Sequence, residues 1–217
     1  MVMYVKRGDT LEIYNLFPGS WGSNCYILIA EKNGERSAAV VDPSASATGI
    51  TEFLKDKNAK LEFIVLTHGH FDHIMSLDKL REITGAITYI HKDDAEMLLD
   101  GEKNAFKLFF GQDRVWKSAD RLLENGDKLA LCGEEIEIIS TPGHSKGSIC
   151  LLCDGFMITG DTLFADNIGR CDLHGGNMMQ MYASLSKLAE YDGNLTIYPG
   201  HGDSNTLGSA LSAIGQI

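Results

Sequence analysis

The chain has 217 residues, a length that suits a single domain over residues 1–217, and its 44% hydrophobic and 23% charged residues are typical of a soluble globular protein. Its formal net charge of −11 predicts an acidic surface that repels polyanions, which argues against nucleic acids and anionic membranes as partners. The first residues contain no apolar secretory core and the five cysteines are odd in number, so we expect free thiols and a cytoplasmic location.

The predicted elements alternate between strands and helices along the chain. Short runs rich in β-branched and aromatic residues predict strands, in chain order, at 11–16, 24–29, 38–41, 63–66, 86–90, 128–131, 135–140, 148–152, 156–159 and 195–198. Apolar residues at helical spacing predict helices at 48–57, 76–83, 93–99, 177–190 and 205–214. Strands followed by helices in both halves indicate sheets covered by helices on the outside, which is a layered α/β arrangement.

The segment 100–118 differs from the rest of the chain. It carries Phe106, Phe109, Phe110 and Trp116 among charged residues and glycines. This composition is compatible with a helical flap, with ordinary core packing, or with a contact between subunits.

The pair Cys150 and Cys153 forms a C-x-x-C pattern inside an apolar run. On a strand, residues three apart project from opposite faces. We therefore expect both thiols to be packed in the interior and not to act together on a metal or as a redox pair.

Metal-ligand residues concentrate at the ends of predicted strands. The segment Thr67–His73 has the pattern H-x-H-x-D-H and directly follows the strand at 63–66. Three later strands also end in a histidine or an aspartate flanked by glycine, namely at His144, Asp161 and His201. Because open α/β sheets place their ligands beyond the carboxyl ends of strands, we expect these side chains to meet.

Together these motifs supply five imidazoles and two carboxylates, a set that suits zinc, iron or manganese in the divalent state. One catalytic zinc ion uses about three protein ligands, so seven side chains suit two ions. We expect two divalent metal ions, with zinc as the first choice. Of the remaining histidines, His91 is expected to be solvent-exposed, and His174 lies in a loop that follows Asp161 closely enough to border the site.

At these residues the sequence resembles the metallo-β-lactamase superfamily and, within it, short-form glyoxalase II-like (hydroxyacylglutathione hydrolase-like) enzymes. The resemblance covers nearly the whole chain and implies a four-layer αββα sandwich with the metals at one edge. It further implies a role for each matching residue. The expected first-metal ligands are His68, His70 and His144. The expected second-metal ligands are Asp72, His73 and His201. Asp161 is expected to be the bridging carboxylate, and Asp42 to support the loop that carries the first ligands.

The resemblance also points to substrate contacts. Arg170 lies where glyoxalase II carries a lysine that contacts glutathione, with an ion pair to Asp166 or Asp172 as the alternative. Trp21 and His174 are further candidates for the pocket wall. Two departures weigh against glutathione: Gly202-Asp203 replaces the Glu-Tyr that follows the last metal histidine in glyoxalase II, and only 16 residues follow His201 where we would expect that family's helical domain.

The resemblance implies that Asp72 binds metal and orients an activated water, which attacks a small acyl substrate. A thioester is the first choice and a lactone or other ester the second. The rivals are an RNA phosphodiesterase, which the acidic charge disfavours, a mono-iron persulfide dioxygenase, and a non-enzymatic metal-binding module. A flavodiiron protein is disfavoured because His70 stands where that group carries glutamate, and a β-lactamase because no export signal is found.

Overall fold

Two mixed β-sheets form the centre of the protein, for which the computed structural model describes residues 2–7 (backbone only), 11–16 and 22–215. The first sheet has seven strands in chain order: β1 (Val2–Arg7), β2 (Leu11–Leu16), β3 (Tyr26–Lys32), β4 (Glu35–Val41), β5 (Lys60–Leu66), β6 (Ile87–His91) and β7 (Arg121–Leu123). Strands β1 to β4 pair antiparallel, and β4 to β7 pair parallel.

The second sheet has six strands in the order β13-β12-β11-β10-β9-β8. These strands are β8 (Lys128–Leu131), β9 (Glu134–Ser140), β10 (Ile149–Cys153), β11 (Phe156–Gly160), β12 (Thr196–Pro199) and β13 (Asn205–Thr206). Strands β11 and β12 are parallel, and the other neighbours are antiparallel.

Five α-helices flank the sheets: α1 (Ala47–Asp56), α2 (Leu77–Thr84), α3 (Phe106–Phe110), α4 (Met178–Leu188) and α5 (Leu207–Ala213). Two 3₁₀ helices occupy Phe71–His73 and Lys92–Leu99. The sequence sets several of these starts, because the side chains of Ser46, Asn177 and Thr206 accept hydrogen bonds from backbone N–H groups in the first turns of α1, α4 and α5. Within the described part of the chain, no helix combines the length and apolarity needed to cross a bilayer.

Alternation along the strands divides the interior into three apolar cores. In β5, Phe63 and Val65 face the core between the two sheets, whereas Ile64 and Leu66 face the core beneath α1 and α2. A third core joins the outer face of the second sheet to α4 and α5. Three cores separate four layers, so the expected αββα sandwich is confirmed.

The C-x-x-C pair follows the same alternation. Cys150 and Cys153 are both buried, Cys150 beneath α4 and α5 and Cys153 between the sheets. The expectation of opposite faces and ordinary packing is therefore confirmed, and all five cysteines are free thiols.

Several predicted elements need correction. The helix expected at 93–99 is a 3₁₀ helix over Lys92–Leu99, whose tighter winding places Asp94 and Met97 on one face. Residues 205–206 form strand β13 and not the first turn of α5, since Thr206 is the N-cap. Strands β1 and β7 were not predicted; β7 has only three residues, too few to form a recognisable sequence pattern.

The two sheets are joined at one edge by a buried asparagine. Asn24 is fully buried just before β3, and its Nδ2 donates to the backbone oxygens of Pro199 and Gly202, both at 2.9 Å. Its backbone N–H donates to the Gly200 oxygen at 2.7 Å. Because these acceptors flank His201, Asn24 fixes the loop after β12 against the first sheet.

We predict that Asn24→Ala lowers the free energy of unfolding by about 2–3 kcal/mol, because the Asn24 side chain no longer donates to the Pro199 and Gly202 oxygens and the buried Asn15 Nδ2 loses its acceptor, Asn24 Oδ1. Asn194→Ala, in an exposed turn, is the matched control and should change stability by less than about 0.5 kcal/mol. Denaturant unfolding measures both changes. Equal stability of the two variants would contradict the role assigned to Asn24.

Candidate metal centre

Three buried histidines from two loops converge in a first cluster. His68 and His70 lie in the loop after β5, and His144 lies in the loop after β9. The Nε2 atom of His144 is 3.3 Å from Nε2 of His68 and 2.8 Å from Nδ1 of His70. The first-metal ligands expected from the sequence are thus brought together.

A second cluster lies beside the first. His201 Nε2 is 3.2 Å from Nε2 of His73 and 3.2 Å from Oδ2 of Asp72. His73 is fully buried, while Asp72 and His201 keep part of their surface open to the cavity described below. The second-metal ligands expected from the sequence are therefore also adjacent.

The carboxylate of Asp161 lies between the two clusters. Its Oδ2 is 3.5 Å from Nε2 of His144 and 3.5 Å from Nε2 of His201, and its Oδ1 is 3.4 Å from Nε2 of His73. Gly200 makes this approach sterically allowed, because a Cβ there would overlap Asp161 Oδ1 and crowd His73. Asp161 is thus placed to bridge two ions.

Asp42 orients two of these histidines from behind. Its Oδ1 accepts the Thr67 N–H at 2.8 Å, and its Oδ2 lies 2.6 Å from Thr67 Oγ1 and 2.9 Å from His73 Nδ1. Thr67 Oγ1, which donates to Asp42, is also 3.1 Å from His68 Nδ1. In this network the Nδ1 atoms of His68 and His73 face Thr67 and Asp42, which directs their Nε2 atoms toward the two clusters.

His144 is oriented in the same way by a backbone group. Its Nδ1 donates to the carbonyl oxygen of Arg170 at 2.7 Å, so its Nε2 also faces the cluster without a proton. The sequence signals nothing of this role, because any residue at position 170 would supply the same carbonyl.

The donor atoms of the two clusters are suited to divalent metal ions. The nitrogens of His68 and His144 are 3.3 Å apart, as expected at ~3.3 Å for two ligands of one tetrahedral zinc ion at 2.0–2.1 Å, and those of His70 and His144 are closer, at 2.8 Å. Asp161 Oδ1 has no hydrogen-bond partner among the described residues. Acceptors that face each other in a buried site are stabilised by a cation, so the donor set fits two divalent ions.

Burial and the neighbouring charges shift the pKa values of these groups in opposite directions. Burial, assisted by His144, lowers the pKa of His70 to about 3, and burial holds that of His68 well below its usual value. Burial opposes the charged form of His73 as well, but Asp72 and Asp161 outweigh it and raise its pKa well above normal. His68 and His70 of the first cluster are thus neutral imidazoles, and the second cluster attracts positive charge.

Asp94 is a supporting residue that the sequence interpretation missed. It is fully buried, and its Oδ2 accepts from the Gly69 N–H at 3.1 Å and from Ser145 Oγ at 2.6 Å, while its Oδ1 accepts from the Gly147 N–H at 2.6 Å. One carboxylate thereby holds the loop of His68 and His70 against the loop of His144. Asp94 follows the carboxyl end of β6, so the strand-end pattern offered a signal for it.

The residues expected to contact the substrate do not lie together in the structure. The side chain of Arg170 lines the cavity and makes a bidentate ion pair with Asp172, with contacts of 2.6 and 2.7 Å. His174 is an exposed residue whose Nε2 lies 3.5 Å from Glu96 Oε1, and it is absent from the cavity lining. Trp21 lies outside the described residues.

His91 was expected to be solvent-exposed, and this expectation is wrong. Its residue exposure is 5%, and its Nε2 lies 3.1 Å from Ser140 Oγ of the second sheet. The partner is 49 residues away in the sequence, so the local pattern around His91 carries no sign of it.

Both clusters open into a cavity of about 370 Å³. Its floor is formed by ligand residues of the two clusters, and its walls come from other residues, namely Phe71, Ala105, Phe109, Phe164, Arg170 and Leu173. An αββα sandwich with paired His and Asp clusters beneath a cavity defines a class of divalent-metal proteins. The sequence model of the "Metallo-beta-lactamase superfamily" matches residues 18–201, and the chain belongs to that superfamily.

Individual relatives agree with this assignment. The chain is 33% identical over 183 residues to the "probable metallo-hydrolase YqgX" of Bacillus subtilis, with 83% of this chain and 85% of YqgX covered. The crystal structure of BLEG-1 B3 metallo-beta-lactamase superposes with a TM-score of 0.83 and 29% identity, over 92% of this chain and 96% of BLEG-1. The crystal structure of TTHA1623 in a di-iron-bound form superposes with a TM-score of 0.77 and 27% identity, over 90% of this chain and 95% of TTHA1623.

We predict that Asp94→Ala weakens metal binding tenfold to 100-fold, because the loops of the first cluster lose the carboxylate that joins them. Asp93→Ala is the matched control, since the adjacent Asp93 carboxylate is partly exposed and lies 3.6 Å from the Lys146 ammonium group. Competition with a chromophoric chelator measures both affinities. Unchanged affinity in Asp94→Ala would contradict the positioning role.

Proposed function

We propose that this protein is a dinuclear metal-dependent hydrolase that cleaves a small acyl thioester. The observation that carries this proposal is the position of Asp161, which touches both ligand clusters at the floor of a cavity of about 370 Å³. When bound, two divalent ions lower the pKa of water toward about 7 and polarise an acyl carbonyl.

The protein's own residues supply orientation. Asp72 faces His201 of the second cluster and also lines the cavity, so its carboxylate is placed to accept a hydrogen bond from the attacking water. Asp42 and the Arg170 carbonyl hold the rings of His73, His68 and His144 in fixed orientations. The ligand atoms therefore need little rearrangement during the reaction.

The cavity favours a small acyl substrate over a polyanion. Arg170 is the one lysine or arginine in the lining among the residues that the structure describes, and Asp172 already pairs with it. A phosphodiester chain would need several such cations. The net charge of −11 adds to this argument.

The complete second cluster favours two ions over one, which supports hydrolysis over a mono-iron oxygenase. Zinc is our first choice of metal because it combines these nitrogen and oxygen ligands with Lewis acidity and has no redox chemistry. The di-iron form of TTHA1623 shows that a similar protein holds iron.

A panel assay tests the proposed function. The protein loaded with two equivalents of zinc should hydrolyse acyl thioesters faster than lactones, simple esters or phosphodiesters. A chelator should abolish the activity, and added zinc should restore it. A fully loaded protein that leaves every thioester intact, or that cleaves phosphodiesters faster, would contradict the proposal.

We predict that His201→Ala reduces bound zinc from two equivalents to one and lowers kcat for thioesters at least 100-fold, because the second cluster loses a ligand. Asp203→Ala, two residues away and exposed, is the control and should retain both metals and full activity. Metal analysis and steady-state kinetics provide the readouts. Full activity of a one-metal His201→Ala protein would show that the second site is dispensable.

A further inference from the structure

One wall of the cavity is aromatic and includes Phe71, which belongs to the ligand segment Thr67–His73. Phe71 directly follows the ligand His70, is 4% exposed, and contacts Phe109 with a ring-centroid separation of 5.4 Å. It also contacts Phe106 at 5.7 Å and Phe110 at 5.5 Å. The short helix α3 therefore rests on a residue that belongs to the metal-binding segment.

The position of α3 is fixed by a buried asparagine. The Phe71 N–H donates to the backbone oxygen of Asn104 at 3.0 Å, and the Asn104 side chain bonds both the Phe106 N–H and the Arg114 oxygen. Ala105, which also lines the cavity, adopts a left-handed conformation with φ +66° to begin the helix. These bonds hold the aromatic wall at a set distance from the metal ligands.

Phe109 presents apolar surface to solvent at this wall. Its ring lines the cavity, yet 52% of the residue is exposed. Phe164 lies at the cavity beside His201, with a ring-centroid separation of 6.0 Å, so apolar surface is present near both ligand clusters. Exposed aromatic surface around a polar centre is typical of a ligand-binding site.

The wall offers few hydrogen-bonding groups to a polar acyl group. Its members Phe71, Ala105 and Phe109 have no side-chain hydrogen-bonding group, and the Arg170 guanidinium is occupied by Asp172. Binding energy for the substrate must therefore come largely from apolar contact, which increases with the length of a hydrocarbon chain.

Building on the proposed thioester hydrolysis, we propose that the wall of Phe71, Ala105 and Phe109 is an acyl-chain site. The substrate class is then a thioester of an unsubstituted, medium-length fatty acyl group and not a short hydroxyacyl group. Water adds to the thioester carbonyl and the C–S bond breaks; one proton of the water passes to the departing sulfur, and the products are a carboxylate, a thiol and one proton released to solvent. The chain would lie along Phe109, with the thioester carbonyl at the floor where the two ligand clusters meet.

A chain-length series tests this proposal. Acetyl, butanoyl, hexanoyl and octanoyl thioesters of N-acetylcysteamine share one small leaving group, so their kcat/KM values with the zinc-loaded protein compare acyl groups alone. We expect a rise of about twofold to fourfold for each methylene that reaches the wall. The octanoyl thioester should exceed the acetyl thioester at least tenfold.

Variants of α3 locate the effect. Phe109→Ala should lower kcat/KM about tenfold for the octanoyl thioester and less than twofold for the acetyl thioester, and Phe109→Leu should restore most of the loss. Leu108→Ala is the matched control, because Leu108 is the adjacent residue, is 68% exposed and does not line the cavity. It should leave the whole series unchanged.

The outcomes separate this proposal from the proposed function. Acetyl and octanoyl thioesters hydrolysed with equal efficiency, or an equal loss for both in Phe109→Ala, would overturn the acyl-chain site and leave thioester hydrolysis standing. No turnover of any thioester by the fully loaded protein would contradict the proposed function, and the acyl-chain site would fall with it.

Discussion

Buried acceptor atoms from the edges of both sheets face a common point, and positive charge at that point stabilises them. His68, His70 and His144 direct lone pairs at one another, and Asp161 carries negative charge between them and the second cluster. Such groups are costly to bury together without a cation. Three buried polar residues form hydrogen bonds that hold the ligand loops at the shared edge of the sheets, namely Asp42, Asp94 and Asn24.

The site divides into a floor of expected ligand residues and a wall of other residues. The floor comes from loops that directly follow the central strands β5, β9, β11 and β12, and its ligand orientations are set by buried hydrogen bonds. The wall comes from Phe71 in the loop after β5, from the segment of Ala105 and Phe109, and from the segment of Phe164, Arg170 and Leu173. The ligand geometry thus follows from the fold, whereas the proposed substrate preference would depend on wall side chains such as Phe109.

Much of the fold and the ligand set could be predicted because both follow local patterns. Apolar runs marked most strands, and each ligand motif stood directly after such a run. The sequence could not predict the groups that act through long-range geometry. Asp94 joins two loops remote in the sequence, and the carbonyl of Arg170 is chemically the same in every residue. His91 was misjudged because Ser140, its partner, becomes adjacent only when the sheets pack.

We propose that two ions share the Asp161 carboxylate. Anomalous diffraction from zinc-loaded crystals should then show two peaks about 3.5–4 Å apart. One should lie among His68, His70 and His144 and the other among Asp72, His73 and His201, with Asp161 between them. A single peak at full zinc loading, or two peaks too far apart for one carboxylate to reach both, would contradict it.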